Sequence, residues 1–169
     1  MRKPKKLTAL LLALTLLFVC AACGSGNSTT DSGKTISGTL PEIIDRLYDT
    51  VDVDDEQRDF LKNSVGTVEI PKDQSAYYFG VENLDFEEAV ASEPLINAIA
   101  FSVCLMRVKD GTDIDELKAE IRRSANPAKW ICVDVNPNDV RVESVGDLVL
   151  LIMADDSEKY SEAFYALAE

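Results

Sequence analysis

The stretch AIAFSVCLMRVKD, residues 98–110, decides the fold. Phe101, Val103 and Leu105 fall on one side of an extended chain, and Cys104, Met106 and Val108 on the other. A strand apolar on both faces belongs inside a sheet that is covered on both sides. LVLLIM, 148–153, reads the same way. Just before it, VRVESV (140–145) alternates apolar and polar residues, and Gly146-Asp147 between the two runs is a two-residue hairpin signal. EEAVASEPLI, 87–96, supplies a fourth strand; Pro94 has no N–H to donate, which reads as an edge or a broken strand.

Helical patterns surround these strands. Leu40, Ile43, Ile44, Leu47, Tyr48 and Val51 form one apolar stripe. Thr39 followed by Glu42 reads as a capping box, with Pro41 in the first turn where its missing N–H costs little. A second helix is expected over Asp55–Ser64, with Phe60, Leu61 and Val65 inward and Gly66 stopping it. Residues 67–80 read as irregular, with Pro71 and Gly80 bracketing Tyr77, Tyr78 and Phe79. Asp110-Gly111-Thr112 turns the chain into a helix that buries Ile114, Leu117 and Ile121 and ends near Asn126-Pro127. AKWICVDV, 128–135, admits a strand by propensity or a further helical turn. Asp155, Asp156 or Ser157 is the expected cap of a last helix, with Tyr160, Ala163, Phe164 and Leu167 inward. The order α-α-β-β-α-β-β-α implies one α+β domain over 39–169, an antiparallel or mixed sheet of about four strands with helices packed on it.

The other end of the chain speaks of address. Arg2, Lys3, Lys5 and Lys6 precede an uncharged run, Leu7–Ala22, too short to span a bilayer as a permanent helix. That is the pattern of a signal peptide over 1–22. Ala21-Ala22-Cys23-Gly24-Ser25 resembles the lipobox of bacterial lipoproteins, in which the Cys thiol takes a diacylglycerol and becomes the first mature residue. The position three before it, usually Leu, is Cys20 here, which leaves with the signal peptide. The resemblance implies Cys23 as the lipid attachment site, a palmitate-bearing anchor, and a place on the outer face of the cytoplasmic membrane. Residues 24–38, rich in Gly and Ser, then read as a flexible tether with a reach of roughly 20 Å.

The segment FGVENLDFEEAVASEPLINAIAFSVCLMRVKDG, the charged helix after it, and VRVESVGDLVLLIMADD resemble an uncharacterised family of small lipoproteins of Firmicutes, mostly clostridia, that contain a domain of unknown function. The resemblance spans about residues 40–168, supports a Gram-positive source and implies no catalytic residue.

Composition excludes several functions. Without the four basic residues of the first segment, 13 Lys and Arg face 30 Asp and Glu. That balance argues against nucleic acid and against peripheral binding to anionic headgroups. Histidine is absent, which removes Ser-His-Asp and Cys-His catalysis and the commonest zinc sites. No Gly-rich phosphate loop occurs, and no cofactor is implied. DTVDVDDEQRD, 49–59, places Asp52, Asp54 and Glu56 at calcium-loop spacing. However, Gln57 stands where Gly is needed and Asn63 where a bidentate Glu belongs, so a capped helix start explains the acids better. Glu87/Glu88 and Asp155/Asp156 are pairs that chance supplies among 30 acids.

Trp130 reads first as core, among Ile131, Cys132 and Val133, and second as an anchor for a protein partner; Tyr77 and Tyr78 carry the same two readings. Cys104 and Cys132 could form a disulfide outside the membrane, but both sit in apolar runs and are expected to be free, buried thiols. The expected function is a non-enzymatic binding module of the Gram-positive envelope, with an unknown protein, peptide or envelope ligand as partner. The alternative is an envelope hydrolase dependent on carboxylates or a divalent cation. An exposed apolar patch beside Trp130 or Tyr77/Tyr78 favours the first, and a pocket lined by two or more buried acids the second.

Overall fold

The computed structural model describes residues 33–96 and 98–169; the expected signal peptide over 1–22, Cys23 and most of the expected tether lie outside them. Among the described residues the strands are β1 (Val65–Glu69), β2 (Phe86–Pro94), β3 (Ser102–Val108), β4 (Val140–Val145) and β5 (Leu148–Met153). They form one sheet in the order β1-β2-β3-β5-β4, antiparallel throughout. The α+β class stands, with five strands rather than about four.

The central position of β3 follows from its two apolar faces. Val103 and Leu105 pack under α1 (Leu40–Thr50), α2 (Asp55–Asn63) and α5 (Ser157–Ala166). Cys104 and Met106 face the other layer, with α3 (Ser75–Phe79), α4 (Ile114–Ser124) and the 125–135 connection. The neighbour β5 is buried along its whole length, and Val145↔Leu148 closes the Gly146-Asp147 hairpin. The α1 capping box forms in full: Thr39 accepts from the Glu42 N–H while Glu42 accepts from the Thr39 N–H. At the opposite end of α1, the Arg58 guanidinium donates to the carbonyls of Tyr48 and Val51 at 2.8 and 2.7 Å, closing its last turn.

Several expectations need correction. Residues 67–69 are not irregular: with Val65 and Gly66 they form β1, an edge strand in register Val68↔Ala91. A five-residue run with a Gly and three exposed positions carries little periodic signal, and its pairing with β2 makes it a strand. The next segment, through Tyr77-Tyr78-Phe79, is a short helix ended by Gly80 in the left-handed region at φ 75°. β2 is an inner strand, not an edge; Pro94 is tolerated because it is the terminal ladder residue. Residues 128–135 are neither strand nor helix. They form an irregular loop closed by the Val135 N–H on the Pro127 carbonyl at 2.9 Å. Within it Cys132 takes φ 64°, so Trp130 turns inward while Ile131 and Cys132 face solvent.

The supposed tether also ends earlier than its composition suggests. Ile36 is buried, and Thr35 exchanges both backbone hydrogen bonds with Glu169, tying the described start of the chain to its end. Arg107 donates to the Gly38 carbonyl at 3.2 Å while pairing with Glu88 and Asp147 at 3.0 and 2.8 Å. Gly146 lies against the Lys34 carbonyl. The chain therefore joins the fold at the β4–β5 turn end of the sheet.

Candidate functional site

At the opposite end of the sheet, β2 finishes and β3 begins, joined by residues 95–101. Glu93 and Ser102 flank this loop on the α3/α4 face, where Ala89 and Ala91 of β2 and Cys104 and Met106 of β3 are apolar. Both meet Lys129. Its Nζ lies 2.5 Å from Glu93 Oε1 and donates to Ser102 Oγ at 3.2 Å. Ser102 in turn donates to Glu93 at 2.7 Å. With its hydrogen spent there, Ser102 Oγ is left to accept from the Cys104 thiol 3.3 Å away. Burial pushes that thiol up to about 11, with the Lys129 charge and the Ser102 bond acting weakly the other way, so Cys104 keeps its hydrogen at neutral pH.

The Lys129 side chain is only 3% exposed, and its ammonium lies 4.8 Å from the Tyr77 ring centroid and 5.3 Å from those of Tyr78 and Trp130. Three aromatic faces and one carboxylate repay its desolvation. Trp130 is core although Ile131 and Cys132 after it are exposed; Tyr78 is half-buried, and Tyr77 is exposed. What brings these three aromatics together is Lys129, which carried no signal among the apolar residues of AKWICV. Ser102 is fully buried, so the Ser–Lys contact lies away from solvent.

On the α1/α2/α5 face of the same end, a cleft of about 220 Å³ opens between the start of α2 and the start of α5. Phe60, Ile99 and Phe101 line it, and Asp54, Asp155 and Asp156 stand at its mouth, all three exposed. Asp54 caps α2, accepting from the Gln57 N–H at 2.8 Å, which is the capped-helix explanation of the 49–59 acids. Asp156 does not cap α5: it sits at φ 54° with its side chain turned to Lys159 at 3.1 Å instead. Among the described residues no three carboxylates or thiols are grouped to hold a metal ion. Of the other acid pair, Glu88 is taken by Arg107 and Glu87 is exposed.

This end also gathers exposed apolar side chains. Leu95, Ile96 and Ile131 are 72, 65 and 70% exposed, with Ile99 and Tyr77 about half that or more. Leu95, Ile96 and Ile99 belong to the β2–β3 loop, while Tyr77 and Ile131 flank the Lys129 cluster at its base. Cys104 and Cys132 are free thiols, the first buried and the second exposed, which corrects the expectation that both are buried. Cys132 lies in an apolar run, but its left-handed backbone points it outward.

No family model matches the chain, and neither the curated proteins nor the solved structures include a significant match to it.

Proposed function

We propose that this chain is a lipid-anchored lipoprotein of the Gram-positive envelope, of the clostridial type its sequence resembles, and that its domain is a non-enzymatic interaction module. The observation that carries this reading is the exposed apolar surface of Leu95, Ile96, Ile99, Ile131 and Tyr77 at one end of the sheet. Three large apolar side chains of one loop left in water, with two more exposed beside the Lys129 cluster at the same end of the sheet, are a feature of contact surfaces. Asp54, Asp155 and Asp156 near them are exposed rather than buried in a pocket, and Glu93 is taken by Lys129, which favours binding over carboxylate chemistry.

Position supports the same reading. The chain joins the fold at the Gly146 turn, and the apolar residues lie beyond the other end of the strands. A seven-residue strand separates the two ends by about 23 Å. Within the domain, the contact surface thus lies at the end of the sheet opposite the one where residues 34–38 join the fold.

The test has two arms in a Gram-positive host. A benzophenone amino acid in place of Ile131 should cross-link a discrete partner, and one in place of Asp147 at the other end should not. Cys23→Ser should abolish palmitate labelling while Cys20→Ser leaves it intact. Identical cross-links from both positions, or full labelling of the Cys23→Ser chain, would sink the corresponding half of the reading.

A further inference from the structure

The cleft beside Ile99 differs in character from the apolar surface around it. Its walls are apolar and largely aromatic, its mouth is acidic, and it is narrow. At about 220 Å³ it is smaller than the roughly 300–1,000 Å³ of pockets that enclose a drug-sized ligand, so it suits a single side chain. Long cationic side chains match such a shape, because their methylene stems cover apolar surface while their heads stay in polar surroundings.

A resident cation already reports the field at the mouth. Lys159 lines the cleft, and its ammonium pKa is held above the ordinary value, first by its hydrogen bond to Asp156 and more weakly by the charges of Asp52 and Asp54. Lys159 satisfies Asp156 alone. Asp155 makes no bond among the described residues, and Asp54 spends one oxygen on its helix cap. The mouth therefore keeps an excess of negative charge after its own lysine is counted.

We propose that this cleft is the specificity pocket of the interaction surface, and that it takes an arginine or lysine side chain from a basic, apolar peptide segment of a protein partner. The stem lies along Phe60, Ile99 and Phe101, and the charged head reaches Asp155 and Asp54. Leu95 and Ile96 take the apolar residues that flank the basic one. Acidic clefts of this kind raise the local concentration of cationic partners and speed their capture. The proposal rests on the reading of the domain as an interaction module, and it names the chemistry of its partner.

The test uses the full-length chain in phosphatidylcholine nanodiscs and three dye-labelled hexapeptides, acetylated and amidated. One alternates leucine and arginine, one replaces arginine by uncharged citrulline of the same shape, and one replaces it by glutamate. Fluorescence anisotropy should show the arginine peptide binding at least tenfold tighter than the citrulline peptide, with no binding of the glutamate one. Asp155→Asn and Ile99→Ser should each weaken the arginine peptide at least fivefold. Glu120→Gln, on an exposed position of α4 across the sheet, should leave it unchanged.

Equal binding of the arginine and citrulline peptides overturns the proposal, as does an equal loss from Asp155→Asn and Glu120→Gln, which would mean diffuse charge attraction. Self-association of the chain that Ile99→Ser abolishes overturns it in favour of a second copy as occupant. Failure of the arginine peptide to bind, with cross-linking from position 131 intact, removes the cleft proposal and leaves the interaction module standing.

Discussion

Replacing Lys129 by methionine keeps an unbranched side chain one atom shorter and removes its charge. The ammonium it deletes is 3% exposed and pairs at 2.5 Å with a carboxylate that is 20% exposed. Breaking a buried pair from one side costs about 3–5 kcal/mol, because the remaining charge is left desolvated. Glu93 keeps its bond from Ser102 and some access to water, which places the loss at the low end, about 3 kcal/mol. Loss of the cation from three aromatic faces adds up to about 1 kcal/mol, since methionine also packs well on rings. A domain of this size loses about 4 °C of Tm per kcal/mol, so Lys129→Met should melt about 12–16 °C lower.

Glu93→Gln should cost less, about 2 kcal/mol, because the ammonium retains Ser102 and its aromatic faces. The double variant should lose about as much as Lys129→Met alone rather than the sum of the two single losses, since two neutral groups of similar shape strand no charge. Urea unfolding followed by tryptophan fluorescence measures all four corners of the cycle, because Trp130 sits on the cluster. A coupling of about 2 kcal/mol is expected. Additive losses within about 0.5 kcal/mol, or a Lys129→Met chain as stable as its parent, would refute the argument that the ion pair is a buried, interdependent unit.

Gly80→Ala should cost about 3 kcal/mol or more by urea unfolding, since its Cβ would lie 2.0 Å from the Ser124 carbonyl oxygen at φ 75°. Gly111→Ala, at φ 84° with nothing within 4 Å, should cost only about 1 kcal/mol, and equal losses would contradict the Gly80–α4 contact. In a chain with Cys20 and Cys23 replaced by serine, Ellman's reagent should modify Cys132 rapidly and Cys104 only on unfolding. Because the folded state raises the Cys104 pKa to about 11, its contribution to stability is full below about pH 8.5 and is lost as pH rises toward 11. Burial shifts the Tyr160 and Tyr48 hydroxyls in the same direction, so a denaturant midpoint that rose over that interval would contradict these sites. Calcium or a chelator should leave the melting temperature unchanged, because Asp54 is engaged as a helix cap; an upward shift of several degrees with micromolar calcium would show the 49–59 acids to be ligands.

The sequence by itself determined the elements whose period is long or whose chemistry is local. The α1 stripe and its capping box, the two-faced strands β3 and β5, and the Gly146-Asp147 hairpin are each written within a dozen residues, and each forms as read. Tertiary structure decided what depends on distant partners. β1 is a strand only because β2 offers it a ladder, and Pro94 is harmless only because it ends that ladder on an inner strand. Cys132 faces solvent despite its apolar run because its own left-handed backbone turns the side chain outward. The Lys129 cluster draws on residues 77, 78, 93, 102, 129 and 130, and the Ile99 cleft on three separate connections. A lysine in an apolar run and three aspartates in turns have no periodicity to announce them. Burial and charge at these positions arise from what the folded chain places around them, and local sequence carries no record of that.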